Sequence, residues 1–478
     1  MNFVGGEFPH FSLSELIAYP LGVVCAGFAL WRSRTTQGAT AWVVGLMSFP
    51  LVAVPLFLIF GRNRFYGYIR KRKALDQSAQ READEMNCLF ALQVPPPAAL
   101  NSLTGAAERV GQPAFTDGNQ VHLLVDGQAT YDAMWDAIEG ARKYILFQFY
   151  IFRADAVGRE FAERLKKKAR AGVRVLVLYD PIGVGVPRRF AADLRAAGVQ
   201  VNAFRSTKSW STRLQINFRN HRKAIVVDGR TAFIGGLNIG EDYLGRGPFS
   251  MGAWRDTHLR LDGPAALAVQ MSFVKDWYWI EEQVPDLDWV APEAVGSTRA
   301  YVCHSGPSDE IEACLLAHIT AINSANQRIW ISTPYFVPPE SFVHALELSL
   351  LRGVEVRILV PSRSDNRWVK LAAEVFVARL VRAGARCYAY LPGFTHQKVM
   401  LIDTELTVVG SANLDSRSMF LNFELSAFVV DASLADAIRL MLERDFAAGH
   451  ELSVEEVDGR SFPRRLLTRA VSLLSPML

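Results

Sequence analysis

The sequence predicts an α/β protein: two similar lobes, each a mixed sheet flanked by helices, related by a pseudo-twofold and preceded by two N-terminal transmembrane helices. Three observations carry this expectation. A pattern of strands and helices occurs twice along the chain. Two long uncharged stretches lie near the N-terminus. The chain has 478 residues, half of them apolar and 21% charged, which suits two or three domains with sizeable cores and excludes disorder for the bulk of it.

The N-terminal stretches come first. Residues 41–60, AWVVGLMSFPLVAVPLFLIF, carry no charge over 20 residues, the length that crosses a bilayer core. Residues 16–31 are also uncharged, and a span of about 11–31 is long enough if Glu15 lies at the interface. Trp31, Trp42, Phe65, Tyr66 and Tyr68 stand at the ends, where amphipathic rings prefer to lie. A cleaved signal peptide would begin with positive charge and end in small residues; this one begins acidic and ends in Trp-Arg-Ser-Arg. Pro50 and Pro55 interrupt the second stretch and leave a re-entrant hairpin open.

Charge is uneven. Residues 1–73 hold eight basic and two acidic residues, whereas the remaining 405 hold 44 basic and 46 acidic. The basic balance therefore belongs to the N-terminus, and a cationic groove for nucleic acid is not expected. Six cations between Arg62 and Lys73 against two in the inter-helix loop place the long C-terminal part in the cytoplasm. Five scattered cysteines (Cys25, Cys88, Cys303, Cys314, Cys387), none at C-x-x-C spacing, speak against a zinc site or a disulfide framework.

This gives a membrane anchor at 1–62, a basic linker at 63–118, a first lobe at 119–290 and a second lobe at 291–478. In the first lobe AIEGARKYILFQFYIF (137–152) precedes a helix that ends at Gly172 and a strand at RVLVLYD. In the second, AINSANQRIWISTPYFVP (321–338) precedes a helix ending at Gly353 and a strand at VRILVP. Further helices end at Gly198 and Gly384. Each half closes with a strand, an aspartate and a helix bearing an Asp-aromatic pair: Asp262 with Asp276-Trp277, and Asp431 with Asp445-Phe446. The C-terminal FPRRLLTRAVSLLSPML puts Leu466, Leu467, Ala470, Val471, Leu473 and Leu474 opposite Arg465, Thr468, Arg469 and Ser472. That amphipathic tail suits either an anionic membrane surface or packing on the domain.

The sharpest signal lies inside the repeat. His221-x-Lys223-x4-Asp228-x6-Gly235-x2-Asn238 recurs as His396-x-Lys398-x4-Asp403-x6-Gly410-x2-Asn413. On a strand, H-x-K turns both side chains to one face, and the apolar runs that follow bury the rest. Paired lobes can bring the two His-Lys pairs across one cleft. That arrangement suits transfer at a phosphodiester. One imidazole attacks phosphorus to give a phosphohistidine; the other protonates the leaving alkoxide and then deprotonates the incoming hydroxyl. The lysines and Asn238 and Asn413 are expected to donate to the nonbridging oxygens, with no metal and no cofactor. Each imidazole needs an acceptor on its second nitrogen. Asp256, 35 residues after His221, and Glu424, 28 after His396, begin strands in the same relative place and are the candidates. Asp228 and Asp403 complete the catalytic motif; their place after an apolar strand, before Gly229 or Thr404, assigns them a structural, turn-forming role in support of the site.

The doubled pattern resembles the phospholipase D superfamily. The two N-terminal stretches ending PLFLIFGR, the segments NHRKAIVVDGRTAFIGGLNIGEDYLGR and HQKVMLIDTELTVVGSANLDSRSMFLNFEL, and the tail LLSPML are similar to the bacterial cardiolipin synthases within it. The resemblance covers nearly the whole chain. It implies two phospholipase-D-like lobes and a multi-pass enzyme of the bacterial inner membrane. It also implies that two molecules of phosphatidylglycerol, an anionic phospholipid, give cardiolipin and glycerol. His221 would be the nucleophile and His396 the general acid/base, an assignment that the near-symmetry of the halves leaves reversible. Ser411, where the first copy has Gly236, offers the phosphate a hydroxyl on one side only. FRSTKSWSTRLQINFRNH (204–221) interleaves cations and aromatics suited to an anionic headgroup, and the glycine-rich GEDYLGRGPFSMG (240–252) suits a lid. Other readings are a phospholipid hydrolase or phosphatidylserine synthase of the same superfamily, and an inactive membrane scaffold, which would need neither His-Lys pair.

Overall fold

A computed structural model of the protein describes residues 13–33, 36–61, 115–183, 186–204, 217–247, 251–289, 292–309 and 311–475. The expected basic linker up to residue 114, most of the cation-aromatic stretch before His221, the tip of the glycine-rich loop and the last three residues fall outside them. The chain divides into two compact units. One comprises residues 1–67 with 206–218, the other residues 68–205 with 219–478.

The first unit contains three helices: α1 (Leu13–Arg32), α2 (Thr36–Ser48) and α3 (Pro50–Phe60). Cys25, Ala26 and Ala29 of α1 pack with Leu46, Ala53, Val54 and Phe57. The expected span over 41–60 is not one helix but two. Proline at the first position of α3 has no N–H to give and crowds the preceding turn, so the helix stops at Ser48 and restarts after Phe49. Among the described residues, no helix is long and apolar enough to cross a membrane.

The second unit contains the repeat. Its first half supplies β1 (Thr116–Val125), β2 (Tyr144–Phe149), β3 (Arg174–Tyr179), β4 (Gln200–Ala203), β5 (Arg219–Asn220), β6 (Ala224–Val227), β7 (Thr231–Gly235), β8 (Ala253–Arg255) and β9 (Thr257–Asp262). Its second half supplies β10 (Thr298–Ser305), β11 (Arg328–Ser332), β12 (Phe336–Val337), β13 (Glu355–Pro361), β14 (Arg386–Tyr390), β15 (Gly393–Thr395), β16 (Val399–Ile402), β17 (Leu406–Gly410), β18 (Leu414–Asp415), β19 (Asn422–Val430) and β20 (Gly449–Glu451). The strand order in the first half is β4-β3-β2-β6-β7-β9-β1. In the second it is β14-β13-β11-β16-β17-β19-β10, the same order on the equivalent strands.

The halves join through β1. Its last six residues pair with β9, and its first pair antiparallel with β10 after a register shift between Thr116 and Asn119. Buried Asn119 pins that irregularity: its amide donates to the Thr116 and Thr298 carbonyls at 3.0 and 3.1 Å and accepts from Ala265 N at 2.7 Å.

Helices cover both faces. In the first half these are α4 (Asp126–Gly140), α5 (Ala156–Arg170), α6 (Arg188–Ala196) and α7 (Ala265–Glu281). The second half has α8 (Ala313–Ser324), α9 (Glu340–Leu351), α10 (Arg367–Arg382), α11 (Ser416–Phe420), α12 (Ala432–Ala447), α13 (Val454–Asp458) and α14 (Phe462–Ser472). The expected helix stops hold: Gly172 and Gly353 take φ of +88° and +82°, a conformation other residues reach only at a cost. β2 is buried along its whole length, so its residues alternate between two cores instead of between core and water. Ile145, Phe147 and Phe149 pack under α4–α6, whereas Leu146 joins a core shared by both halves beneath α7 and α12. A third core lies under α8–α10. The amphipathic tail packs on the domain through a face other than the expected leucine side. Thr468 and Val471 of α14 pack inward, and Leu466, Leu467, Leu473 and Leu474 stay exposed. Cys303, Cys314 and Cys387 are buried free thiols.

Candidate active site

The two His-x-Lys segments lie just ahead of β6 and β16. What brings them together is an exchange of short strands. β5, ahead of His221, pairs in parallel with the start of β19 in the other half (Arg219 with Asn422, Asn220 with Phe423). β15, ahead of His396, pairs in parallel with β8 in the first half (Thr395 with Arg255). The exchange continues into the backbone of each histidine: His221 N donates to Phe423 O at 2.9 Å and His396 N to Arg255 O at 2.8 Å.

The next residue after each acceptor is an acid. Glu424 follows Phe423, and its carboxylate oxygens lie 3.0 and 3.1 Å from His221 Nδ1. Asp256 follows Arg255, and its Oδ2 lies 2.7 Å from His396 Nδ1. Both acids are fully buried. The pairing is therefore crossed: each histidine is held by the acid of the other half, not by the one that follows it in its own repeat.

Period-two alternation sets the rest. Lys223 Nζ donates to His221 O at 2.7 Å; Lys398 Nζ donates to His396 O at 2.5 Å and sits 3.0 Å from both nitrogens of that ring. The intervening residues point the opposite way. Arg222 reaches Asp276 Oδ2 at 2.6 Å, and Gln397 donates to Asp445 Oδ2 at 2.9 Å. Those are the two aspartates of the repeated Asp-aromatic pairs, on α7 and α12. They lock each H-x-K segment from behind.

Burial governs the titration. It pushes the His221 imidazole down to about 4, Glu424 opposing and Lys223 reinforcing, and pushes His396 well below the usual histidine range, with Lys398 adding to it. Burial likewise brings Lys223 down to about 7 and Lys398 to about 8. Burial alone would raise Glu424, but His221, Lys223 and the Ser411 hydroxyl hold it below the usual carboxylate range. Burial raises Asp256. Both imidazoles are thus neutral at pH 7 and donate from Nδ1 to their acids, which leaves the His221 Nε2 edge for a ligand, whereas His396 Nε2 lies 3.0 Å from Lys398 Nζ.

His221 and His396 line one cavity of about 750 Å³, with Tyr150, Arg219, Tyr243, Trp254, Tyr335, Asp365, Asn413 and Arg417 also in its wall. Tyr150 meets the His221 ring edge-on at 5.2 Å, and Trp254 lies against His396 at 5.3 Å. Among the described residues, no group of three His, Cys, Asp or Glu side chains stands ready to hold a metal ion.

The other sequence candidates divide between the cavity wall and sites away from it. Asn413 faces the cavity, and its buried Oδ1 has no hydrogen-bond partner among the described residues. Asn238 also lines it, but its amide is spent within the protein: Nδ2 donates to Tyr243 Oη at 2.6 Å and Oδ1 accepts from Ile151 N at 3.1 Å. Ser411 is not open to a phosphate. It is fully buried, donates to Glu424 Oε2 at 2.5 Å and accepts from Leu425 N at 2.9 Å. Asp228 and Asp403 sit at the far ends of β6 and β16, roughly 15 Å of strand from the lysines. Each takes a positive φ (53° and 52°) and accepts backbone amides: Arg142, Lys143 and Tyr144 for Asp228, and Asn326, Gln327 and Arg328 for Asp403. They are turn anchors that tie the motif strand to β2 or β11, not members of the reacting set.

Tyr150, Trp254, Asp365 and Arg417 were not singled out from sequence. Tyr150 lies in the quoted YIF run, and Arg417 lies four residues after Asn413, so distance from the repeated motifs was the only available signal.

Comparison with known proteins agrees with this geometry. Residues 134–247 and 318–446, the parts that bear both motifs, match the family described as cardiolipin synthase, PLD-like domain. The chain is 41% identical to cardiolipin synthase A of Pseudomonas fluorescens (strain SBW25) over 485 aligned positions, covering 100% of both proteins. It is 42% identical to cardiolipin synthase A of Pseudomonas putida (strain W619), covering 97% of each. The crystal structure of a phosphatidylserine synthase from Haemophilus influenzae Rd KW20 superposes with a TM-score of 0.58 at 15% identity, over 75% of this chain and 95% of that one, and so shares the fold. With its repeat, its crossed histidines and this identity along its whole length, the chain belongs to the cardiolipin synthase family of phospholipase-D-like phosphatidyltransferases.

Proposed function

We propose that this enzyme is a membrane-bound cardiolipin synthase that moves a phosphatidyl group from one phosphatidylglycerol to another and releases glycerol. The observation that carries the reading is the pair of imidazoles on one cavity, each tethered at Nδ1 by a buried acid.

In the first half-reaction, neutral His221 Nε2 attacks the phosphorus of the donor lipid. The P–O bond to glycerol breaks, and His396, protonated on Nε2, gives its proton to the departing alkoxide. The entering phosphate anion favours that protonated state, because it supplies the negative charge that burial denies the empty site. Glu424 stays ionised beside His221 and balances the positive charge of the phosphorylated ring. Lys223, Lys398 and Asn413 face the nonbridging oxygens as their charge grows. In the second half-reaction, the primary hydroxyl of the acceptor lipid loses its proton to His396 Nε2, its oxygen attacks phosphorus, and the N–P bond breaks.

Two features support a membrane setting. The three helices of the first unit leave large apolar side chains exposed, Leu16 at 63% and Trp31 at 87% among them. α14 presents its exposed leucines beside Arg465 and Arg469, which suits an anionic lipid surface. The cations between Arg62 and Lys73 favour a cytoplasmic catalytic unit.

The test is incubation of the purified full chain with vesicles containing labelled phosphatidylglycerol. Cardiolipin and glycerol are expected in equal amounts; phosphatidic acid without cardiolipin would overturn the reading. His221→Ala should abolish the phosphorylated intermediate. His396→Ala should slow turnover by roughly 10²- to 10⁴-fold while the intermediate still forms slowly.

A further inference from the structure

The catalytic groups are duplicated, but two charged positions in the cavity wall break the symmetry. Two residues before each motif histidine stand Arg219 in one half and Phe394 in the other. Four residues after each motif asparagine stand Arg417 in one half and Asp242 in the other. Arg219 shares the extended-chain face of His221 and Lys223, and it and Arg417, which enters from α11 of the opposite half, line the catalytic cavity. Both lie beside Tyr150, whose ring touches His221, and Arg219 hydrogen-bonds to the Tyr150 side chain. Two guanidiniums therefore converge at the His221 end.

The opposite end has no such pair: its one guanidinium in the cavity wall among the described residues, Arg153, is matched by an acid. Asp242 pairs with Arg153 at 2.9 Å, and Asp365 accepts from Tyr335 Oη at 2.7 and 2.6 Å.

Bringing two like charges together out of water is unfavourable; burial and Arg219 together lower the Arg417 pKa. Asp180 and Asp415, the latter also in the cavity wall, offset part of that charge while accepting backbone amides. Asp180 accepts from Ile182 N and Asn220 N at 2.8 and 2.7 Å, and Asp415 accepts from Ser418 N at 2.6 Å. Reaction at a single phosphorus between two equivalent histidines needs no such one-sided pair. A lipid acceptor does, because it brings a second phosphodiester that takes no part in the chemistry and stays anionic throughout. The two phosphorus atoms of the product are separated only by a three-carbon bridge and its two oxygens.

Resting on the synthase reading, we infer that Arg219 and Arg417 hold the phosphodiester of the accepting lipid, and so select a phospholipid over water or a neutral alcohol in the second half-reaction. Because the far end has no equivalent pair, the acceptor takes a single orientation.

The experiment compares Arg219→Gln and Arg417→Gln with the parent full-length protein in phosphatidylglycerol vesicles, with and without 1-butanol as a neutral acceptor. Three signals are read: the single-turnover burst of glycerol, cardiolipin formation and phosphatidylbutanol formation. Each variant should make cardiolipin roughly 10- to 100-fold more slowly, the worth of one charge-assisted hydrogen bond. The glycerol burst and phosphatidylbutanol formation should stay within about threefold of the parent, scaled to that same tenfold unit. Arg417→Lys, which keeps the charge, should recover part of the cardiolipin rate. An equal fall in all three signals would place the arginines on the donor or in the fold and overturn the inference, as would unchanged cardiolipin synthesis. A parent protein that forms phosphatidylbutanol but no cardiolipin would overturn the synthase reading itself.

Discussion

The two halves of the repeat present the same catalytic residues but support them differently. Glu424 is held by three side chains: the His221 ring, the Ser411 hydroxyl and the Asn422 amide at 3.1 Å. Asp256 is shorter by one methylene and fills the space that Gly236 leaves. A Cβ at position 236 would stand 2.0 Å from Asp256 Oδ1, whereas the equivalent position in the second half accommodates Ser411. One acid is thus kept charged by added donors, and the other is fitted by removing a side chain. A near-symmetric core can in this way give its two imidazoles unequal electrostatic surroundings, as a nucleophile and a proton carrier require.

Removing each acid in turn tests that inequality most strongly. Glu424→Gln should slow formation of the phosphorylated enzyme by roughly 10²- to 10⁴-fold, because the ring that becomes cationic loses its counter-charge. Asp256→Asn should impair protonation of the leaving group. A donor lipid with p-nitrophenol in place of glycerol, which needs no such proton, should restore Asp256→Asn and leave Glu424→Gln slow; the reverse pattern would exchange the roles of the two histidines. At Gly236, replacement by Ala should force the Asp256 carboxylate aside, destabilise the protein by about 1–3 kcal/mol and depress turnover. Ser411→Gly, which removes one hydrogen bond to Glu424, should cost about 1 kcal/mol or less. Denaturation midpoints together with initial rates would separate the two effects. The smallest effects on turnover are expected far from the phosphorus. Asp228→Ala and Asp403→Ala each remove a carboxylate that holds backbone amides, and each should lower unfolding free energy by about 1–2 kcal/mol with kcat preserved below the melting transition. A large loss of kcat in a folded variant would return these aspartates to the reacting set.

Much of this architecture is legible in the sequence. The repeat located both lobes, their glycine-terminated helices and the two motif segments, because burial on both sheet faces and a period of two leave strong marks in sequence. Asp256 and Glu424 were recognisable as strand-leading acids. Which histidine each one serves was not, since that depends on β5 and β15 pairing across the halves, and ladders of two or three residues have no hydrophobic pattern to announce them. The same limit hid the use of Asp276 and Asp445. Their repetition stood out, but only the backward-pointing Arg222 and Gln397 explain it. Ser411 and Asn238 have the right chemistry for phosphate contact, yet their hydrogen bonds are consumed by Glu424 and by Tyr243 with Ile151, a competition that spacing cannot reveal. In the N-terminal stretch, uniform hydropathy masked the effect of Pro50, which divides one apolar run into two helices.

The exchange of β5 and β15 has a genealogical consequence. A one-repeat forebear with this ladder could assemble a working centre only as two identical chains, each lending its acid to its sister. Carrying both repeats in one chain makes that partnership independent of concentration. It also leaves each copy able to change separately at any position that is not lent across, which is how Arg219 and Arg417 can stand where the other half has Phe394 and Asp242.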